Sequence, residues 1–96
     1  MSTAARESHA NKILVAAFYA FTALDHGQRE DLLAFLPRAA GEREILGSIL
    51  IAHEGVNGTI SGPESGVESL LDQLRERLGL GDEHFARLEV KRSWAN

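Results

Sequence analysis

The adjacent residues His53 and Glu54, followed by Asn57, form the polar group of this 96-residue sequence with the clearest chemical potential. An imidazole beside a carboxylate can exchange protons with a substrate near neutral pH. Adjacent side chains in a β-strand point to opposite faces, so a regular strand would keep the two groups apart. We therefore expect His53 to be solvated or hydrogen-bonded in a structural role, and we treat all three residues as candidates for contact with a protein domain or with RNA.

A basic cluster near the C-terminal end is the second candidate site. Arg87, Lys91 and Arg92 lie beside the single tryptophan, Trp94. Cations next to an aromatic ring can follow phosphates and stack on a base, which makes these residues candidates for RNA contact. The competing interpretation is a charged strand that protects a sheet edge from aggregation. The formal net charge of −4 favours the edge interpretation.

Residue types and spacing exclude several classes of chemistry. The sequence has no cysteine, which removes disulfides, thiolate metal sites and cysteine nucleophiles. The four histidines lack the spacing of a metal site, and the glycines lack that of a phosphate-binding loop. We therefore expect no catalytic residue, no metal and no cofactor. The longest apolar run, Ile13–Phe21, is too short for a membrane span, so we predict a soluble, cytoplasmic protein without a membrane partner.

The first half of the sequence predicts a strand, a helix and a second strand. Residues 1–11 lack hydrophobic periodicity and are expected to form a flexible leader. The apolar run after them favours a buried strand. Asp25 and Gln28 have the spacing of a capping box, while Pro37 predicts that the helix ends near Leu36. A second strand is expected over residues 45–53.

The glycines after this strand predict a tight turn. Asn57-Gly58 is a strong hairpin signal, because both central positions of a type I′ turn need positive φ. Gly55 would allow close backbone approach or a bulge at the end of the strand. We therefore assign turn geometry to Gly55 and Gly58, with a short return strand over residues 59–61.

The second half predicts another helix and a last strand. Ser65 and Glu68 have the spacing of a capping box that opens the helix. Gly79 suits the position just after its end. Apolar and charged residues then alternate over residues 86–91, as in a half-buried strand. The apolar face of this helix comprises Val67, Leu70, Leu71, Leu74 and Leu78.

The resulting order, β-α-β-β-α-β, is typical of the ferredoxin-like split βαβ plan, an α+β fold. We expect a four-stranded antiparallel sheet with both helices on one face, because each β-α-β unit should be right-handed. Residues 12–96 would form this single domain.

The segment Leu50–Gly62, LIAHEGVNGTISG, resembles the A-[HE]-E-G-[IV]-N hairpin of the rhodanese-like tRNA wobble-uridine hydroxylases. The flanks agree with this family: Phe18-Tyr19 lies in the early strand and Gly47 precedes the hairpin. The end, Val90–Ala95 or VKRSWA, is similar to the family's K-x-S-[WF] region. The resemblance covers residues 13–96.

This resemblance implies a ferredoxin-like N-terminal domain, which in the family precedes a rhodanese domain with the essential cysteine. The parent protein would be an oxygen-dependent oxidoreductase that forms 5-hydroxyuridine at the tRNA wobble position. No catalytic residue of the family falls on these positions, so the chain by itself is expected to be non-catalytic. Its implied partners are the rhodanese catalytic domain of the parent chain and tRNA. In isolation, the surface normally covered by that domain would be free to form a homodimer.

Two alternatives remain open. A stand-alone ferredoxin-like binding or self-association module is supported by the fold alone, which is weak evidence for function. An acylphosphatase-like hydrolase is less favoured. Such enzymes cradle phosphate with an arginine in the loop after the first strand, whereas Thr22–Gly27 contains Asp25 and no arginine. The carboxylate would repel phosphate.

Overall fold

The computed structural model describes residues 12–80 and 87–95. Four strands and two helices follow one another there in the predicted order, β-α-β-β-α-β. The strands form one antiparallel sheet in the order β2-β3-β1-β4, which confirms the ferredoxin-like fold. The predicted leader, residues 1–11, lies outside the described residues. The elements are β1 (Ile13–Phe21), α1 (His26–Glu42), β2 (Leu46–Ala52), β3 (Gly55–Gly62), α2 (Glu64–Arg77) and β4 (Glu89–Ala95).

The sheet has one face that the helices cover and one that they leave open. Leu14, Ala16, Phe18 and Ala20 of β1 are buried and define the covered face. The alternate residues of β1 and their partners in neighbouring strands define the open face. The apolar residues predicted for α2 are all buried in the core, which confirms that prediction. None of the described helices is long and apolar enough to cross a bilayer.

Helix α1 begins as predicted and ends later than predicted. The Asp25 carboxylate accepts from the Gln28 backbone N–H at 2.8 Å, and the Gln28 side chain accepts from the Asp25 N–H at 2.9 Å. The predicted end near Leu36 is wrong, because the helix continues through Pro37. An internal proline costs about 3 kcal/mol. Here Pro37 lies on the exposed side of the helix, and burial of Ala39 in the next turn offsets part of that cost.

Helix α2 does not use the predicted capping box. It begins at Glu64 with Pro63 at the N-cap position, and no side chain caps it. Ser65 is therefore inside the first turn, and the Glu68 carboxylate binds Arg92 instead of the helix terminus.

The prediction at the C-terminal end of α2 is confirmed. Gly79 has φ +70°, and its N–H donates to the Glu76 carbonyl at 3.0 Å. The Leu80 N–H donates to the Arg75 carbonyl at 3.0 Å, which completes a Schellman motif. The last predicted strand begins in residues 81–86, which lie outside the described residues, and β4 extends it to Ala95.

The predicted turn at Asn57-Gly58 is wrong. Both residues lie inside β3, which pairs with β2 on one side and β1 on the other. A Cβ at Gly58 would lie 2.5 Å from the Ser48 carbonyl oxygen, so this glycine allows close strand approach instead of a turn. Gly55 does have a positive φ, +144°, directly after the actual turn, and a Cβ there would clash with the Ala20 carbonyl oxygen.

Candidate functional site

His53 and Glu54 form the β2–β3 turn, where the structure exposes both side chains. The backbone of the turn is tied to the segment after β1: the Leu24 N–H donates to the His53 carbonyl at 2.9 Å, and the Thr22 N–H donates to the Glu54 carbonyl at 3.1 Å. Within the described part of the chain, neither side chain has a hydrogen bond or ion pair. The turn is thus held by its main chain and leaves two polar side chains free for a partner.

The same hydrogen bonds bear on the hydrolase alternative. The amides of Thr22 and Leu24 already donate to the turn, so they are not free to cradle a phosphate. The carboxylate of Asp25 accepts from the first turn of α1 and places negative charge at this loop. The geometry therefore disfavours phosphate binding after β1.

The basic cluster predicted on the last strand is divided between the two faces of the sheet. Arg92 and Trp94 pair with Ala16 and Leu14 and lie on the covered side of β4, where it forms the sheet edge. Lys91 pairs with Ala17 and lies on the open face. Since neighbouring strand residues alternate in direction, the four predicted contacts do not form one site.

Arg92 links β4 to α2. Its Nε and Nη2 atoms donate to the two carboxylate oxygens of Glu68 at 2.7 and 2.8 Å. This bidentate hydrogen bonding lowers the pKa of the Glu68 carboxyl, and it raises the pKa of the Arg92 guanidinium. The charge of Arg92 is therefore compensated within the domain.

Arg87 is also compensated, whereas Lys91 is not. The Arg87 Nε donates to a Glu89 carboxylate oxygen at 2.6 Å. Lys91 has no hydrogen bond or ion pair with any residue that the structure describes. Of the three predicted cations, only Lys91 leaves its charge available on the surface.

The structure adds two aromatic residues that the sequence interpretation missed. Tyr19 and Phe21 lie on the open face, where they are 47% and 75% exposed. Their ring centroids are 5.5 Å apart. The apolar run of β1 is continuous, so it predicted a buried strand. Hydrophobicity alone did not show which of its alternating residues face the solvent. The spacing of two aromatics two residues apart was the available clue, since such residues share a face.

Asn57 lies opposite Tyr19 on this open face, three residues along the chain from Glu54. A shallow depression runs beside the pair, and its floor is formed by Ala17, Ser48 and Thr59. Lys91 lies at its β4 side. Among the residues that the structure describes, the arrangement offers ring faces, amide and hydroxyl groups, and one cation without a partner. The described residues include no group of three His, Asp or Glu side chains that could hold a metal ion.

A second surface is an apolar groove between α1 and the edge strand β2. Leu33 at this groove is 61% exposed, whereas Leu46 borders the groove but, by its pairing with Ser61, has its side chain on the open face. Leu36, Pro37 and Ile49 also line it. The side chains in the groove are apolar, because Ser48 at its rim pairs with Thr59 and has its side chain on the open face, so the groove suits packing against another apolar surface.

The comparisons with known proteins agree with these features. The family described as "UPF0176 acylphosphatase like domain" matches residues 13–96. The tRNA uridine(34) hydroxylases of Synechococcus sp. (strain CC9605) and Parasynechococcus marenigrum (strain WH8102) are each 66% identical over 85 residues, which are 88% of this chain and 26% of the relative. The Rhizobium etli tRNA uridine(34) hydroxylase is 40% identical over 88 residues, 92% of this chain and 26% of the relative.

This chain therefore spans about a quarter of the length of the curated relatives it matches. The match covers nearly all of the chain and includes the β2–β3 hairpin that carried the resemblance. The chain belongs to the UPF0176 acylphosphatase-like domain family, and it matches the N-terminal part of tRNA uridine(34) hydroxylases.

Proposed function

We propose that this chain is a non-catalytic N-terminal domain of a cytoplasmic tRNA uridine(34) hydroxylase. The parent protein would be an oxidoreductase that forms 5-hydroxyuridine at the wobble position, with a rhodanese-like catalytic domain elsewhere in its chain. The observation that carries the proposal is 66% identity over 85 residues to a named tRNA uridine(34) hydroxylase, of which those residues are only 26%.

The role of the domain is to pack against the rest of the parent chain and to help position tRNA. The groove between α1 and β2 supports packing, because exposed Leu33 would lose contact with water there. The remainder of the parent chain is its proposed occupant, since the relatives are about four times as long as the matched region. The exposed side chains of His53 and Glu54 offer polar contacts to the same partner.

A domain exchange tests this function. Residues 13–96 would replace the matching segment of the Synechococcus relative, in a bacterium that lacks its own hydroxylase. We expect mass spectrometry of bulk tRNA to show 5-hydroxyuridine for the exchanged protein. We expect none for this chain alone or for the relative without its N-terminal segment. Hydroxylation by this chain alone would contradict a non-catalytic role, and an inactive exchange protein would contradict the shared function.

The packing role has its own variant. Leu33→Asp places a charge in the groove, and we expect the exchanged protein to lose hydroxylation while the isolated chain keeps its melting temperature, because Leu33 is already exposed there. Ala34→Asp is the matched control, since Ala34 is exposed on α1 outside the groove. Equal effects of both substitutions would rule out the groove as the packing surface.

The hydrolase alternative is tested in the same preparation. The family description refers to acylphosphatase, yet the amides of Thr22 and Leu24 are occupied and the loop carries Asp25. We expect no hydrolysis of an acyl phosphate by the purified chain. Hydrolysis that Asn57→Ala abolishes would reinstate this alternative.

A further inference from the structure

We propose that single-stranded RNA binds across the open face of the sheet, with bases stacked on Tyr19 and Phe21 and a phosphate held by Lys91. This proposal rests on the proposed function, and it names the surface on which the domain contacts tRNA. Such binding requires an RNA with unstacked bases, such as the anticodon loop that carries position 34.

The aromatic pair supplies the stacking surface. Tyr19 and Phe21 lie on β1, a central strand, and their side chains extend from the same face. Their rings are 5.5 Å apart and exposed to solvent. Burial of an aromatic ring lowers the free energy, so these exposed rings favour contact with a partner. RNA-recognition domains with four-stranded sheets stack two or three bases on aromatics of this kind. An aromatic ring accepts any base, since every base has a π-face.

Polar groups beside the rings can read base edges. Asn57 lies directly opposite Tyr19, and its amide can both donate and accept. Thr59 and Ser48 continue the polar surface across β3 and β2 in the next row of the sheet. Ala17 lies in the same row as Thr59, and its small side chain lets a base edge approach the strands.

The charge of the open face suits a phosphate, although the whole chain has a formal charge of −4. Glu89 is the carboxylate nearest to Tyr19 in the sheet register, and Arg87 compensates it at 2.6 Å. Lys91, two residues along the same face, has no acidic partner among the described residues. On the opposite face, Glu68 compensates Arg92. Within the described part of the chain, the positive charge of β4 is thus available on the open face only.

The distribution of apolar groups separates this surface from a protein-packing surface. Of the exposed aliphatic residues, Leu33 lies at the groove on α1, and Leu46 and Leu50 lie along β2 at the edge of the open face. The β1 and β4 side of the open face instead alternates rings with amide, hydroxyl and ammonium groups. The former pattern suits burial against protein, and the latter suits a wet, polar contact with nucleic acid.

The test compares matched residues on the two faces. The purified 96-residue chain is titrated into a labelled anticodon stem-loop RNA with uridine at position 34, and fluorescence anisotropy is measured at about 50 and 200 mM salt. Tyr19→Ala and Lys91→Gln change the open face. Trp94→Ala and Arg92→Gln are the controls: they remove an exposed ring and a cation from the other side of β4. The melting temperature of each variant confirms that it is folded.

We expect Tyr19→Ala to weaken binding about tenfold, which is typical for loss of one stacked base. Lys91→Gln should reduce the slope of log affinity against log salt by about 0.7, the value for one phosphate contact on a single strand. Both controls should bind within about twofold of the wild type. A blunt RNA duplex should bind more weakly, because its bases are already stacked.

Three results would overturn the proposal. The first is no binding by the wild type at the lower salt concentration. The second is a larger loss for Trp94→Ala and Arg92→Gln than for the open-face variants, which would place the RNA at the outer side of β4. The third is a dimer that Tyr19→Ala dissociates without any change in RNA affinity, because the face would then bind a second copy.

The domain exchange separates this proposal from the function on which it rests. If the exchanged protein hydroxylates tRNA with and without Tyr19→Ala, the open-face proposal fails and the proposed function stands. If the exchanged protein is inactive while the isolated chain binds RNA through Tyr19, the proposed function fails and the binding surface stands.

Discussion

The two faces of the sheet are built from neighbouring residues of the same strands and serve different ends. In β1, Phe18 is 3% exposed against the helices, and the next residue, Tyr19, is 47% exposed on the open face. In β4, Arg92 binds Glu68 of α2, whereas its neighbour Lys91 has no partner among the described residues. The covered face uses its groups to hold the fold together, and the open face leaves comparable groups available for a partner.

This comparison separates residue type from residue role. In the sequence, an arginine and a lysine one position apart are equally basic. In the structure, the arginine forms an ion pair that joins a strand to a helix, and the lysine does not. The aromatic rings of Phe18 and Tyr19 are divided in the same way by the alternation of the strand. A patch of similar residue types in a β-strand therefore has to be divided by face before a function is assigned to it.

The largest expected effect separates the two aromatic neighbours. Phe18→Ala should lower the free energy of unfolding by about 3–5 kcal/mol, because it leaves a cavity in the core. Tyr19→Ala should cost no more than about 1.5 kcal/mol, the contribution of its pairing with Phe21. Urea unfolding followed by circular dichroism measures both. Similar losses for the two variants would contradict the division into covered and open faces.

A smaller effect is expected for the two basic neighbours. Arg92→Gln should destabilise the domain by about 0.5–1 kcal/mol, because the pair is partly exposed to solvent, which screens its attraction. Lys91→Gln should change stability by less than about 0.5 kcal/mol. A double-mutant cycle with Glu68→Gln isolates the pair. If the cycle gives no coupling between residues 68 and 92, the ion pair does not contribute to stability.

The contribution of this pair to the free energy of unfolding should depend on pH. The hydrogen bonds from Arg92 lower the pKa of the Glu68 carboxyl in the folded state below its ordinary value. A carboxyl whose folded pKa is depressed contributes stability above its unfolded pKa and loses it as the pH falls through the folded value. The difference in urea midpoint between wild type and Glu68→Gln should therefore be constant at neutral pH and shrink below about pH 4. A difference that persists unchanged in acid would contradict this role for the carboxylate.

The smallest effect is expected at the outer part of the open face. Leu50 is 62% exposed on β2, so Leu50→Ser should change the free energy of unfolding by less than about 0.5 kcal/mol. Leu71→Ala, in the core, is the matched control and should cost about 2–5 kcal/mol. A large loss for Leu50→Ser in the isolated chain would mean that the open face is already covered, for example by a second copy.

Much of the candidate site was identifiable from residue types, but its arrangement was not. His53, Glu54, Asn57 and Lys91 were candidates in the sequence, and the structure places them at a turn and on the open face. Arg92 was a candidate for RNA contact, but its guanidinium donates hydrogen bonds to the carboxylate of Glu68, a residue 24 positions away in the sequence. Tyr19 and Phe21 were concealed by a continuous apolar run, which carries no information on which face is covered.

Local sequence was sufficient wherever the determining contacts lie within one turn of chain. The Asp25 capping box, the apolar face of α2 and the glycine at position 79 all depend on neighbours a few residues away, and all are confirmed. The order of strands and helices follows from the same local patterns.

Tertiary structure decided the features whose partners are distant in sequence. Asn57-Gly58 has a strong local preference for a turn, but pairing with strands on both sides holds it extended inside β3. Glu68 has the spacing of a helix cap, but a charged partner on β4 offers two stronger hydrogen bonds. The sequence by itself determined the elements of this protein. Which faces they bury, and which charges remain free, was decided by packing, because those outcomes depend on contacts that form only when the sheet and helices assemble.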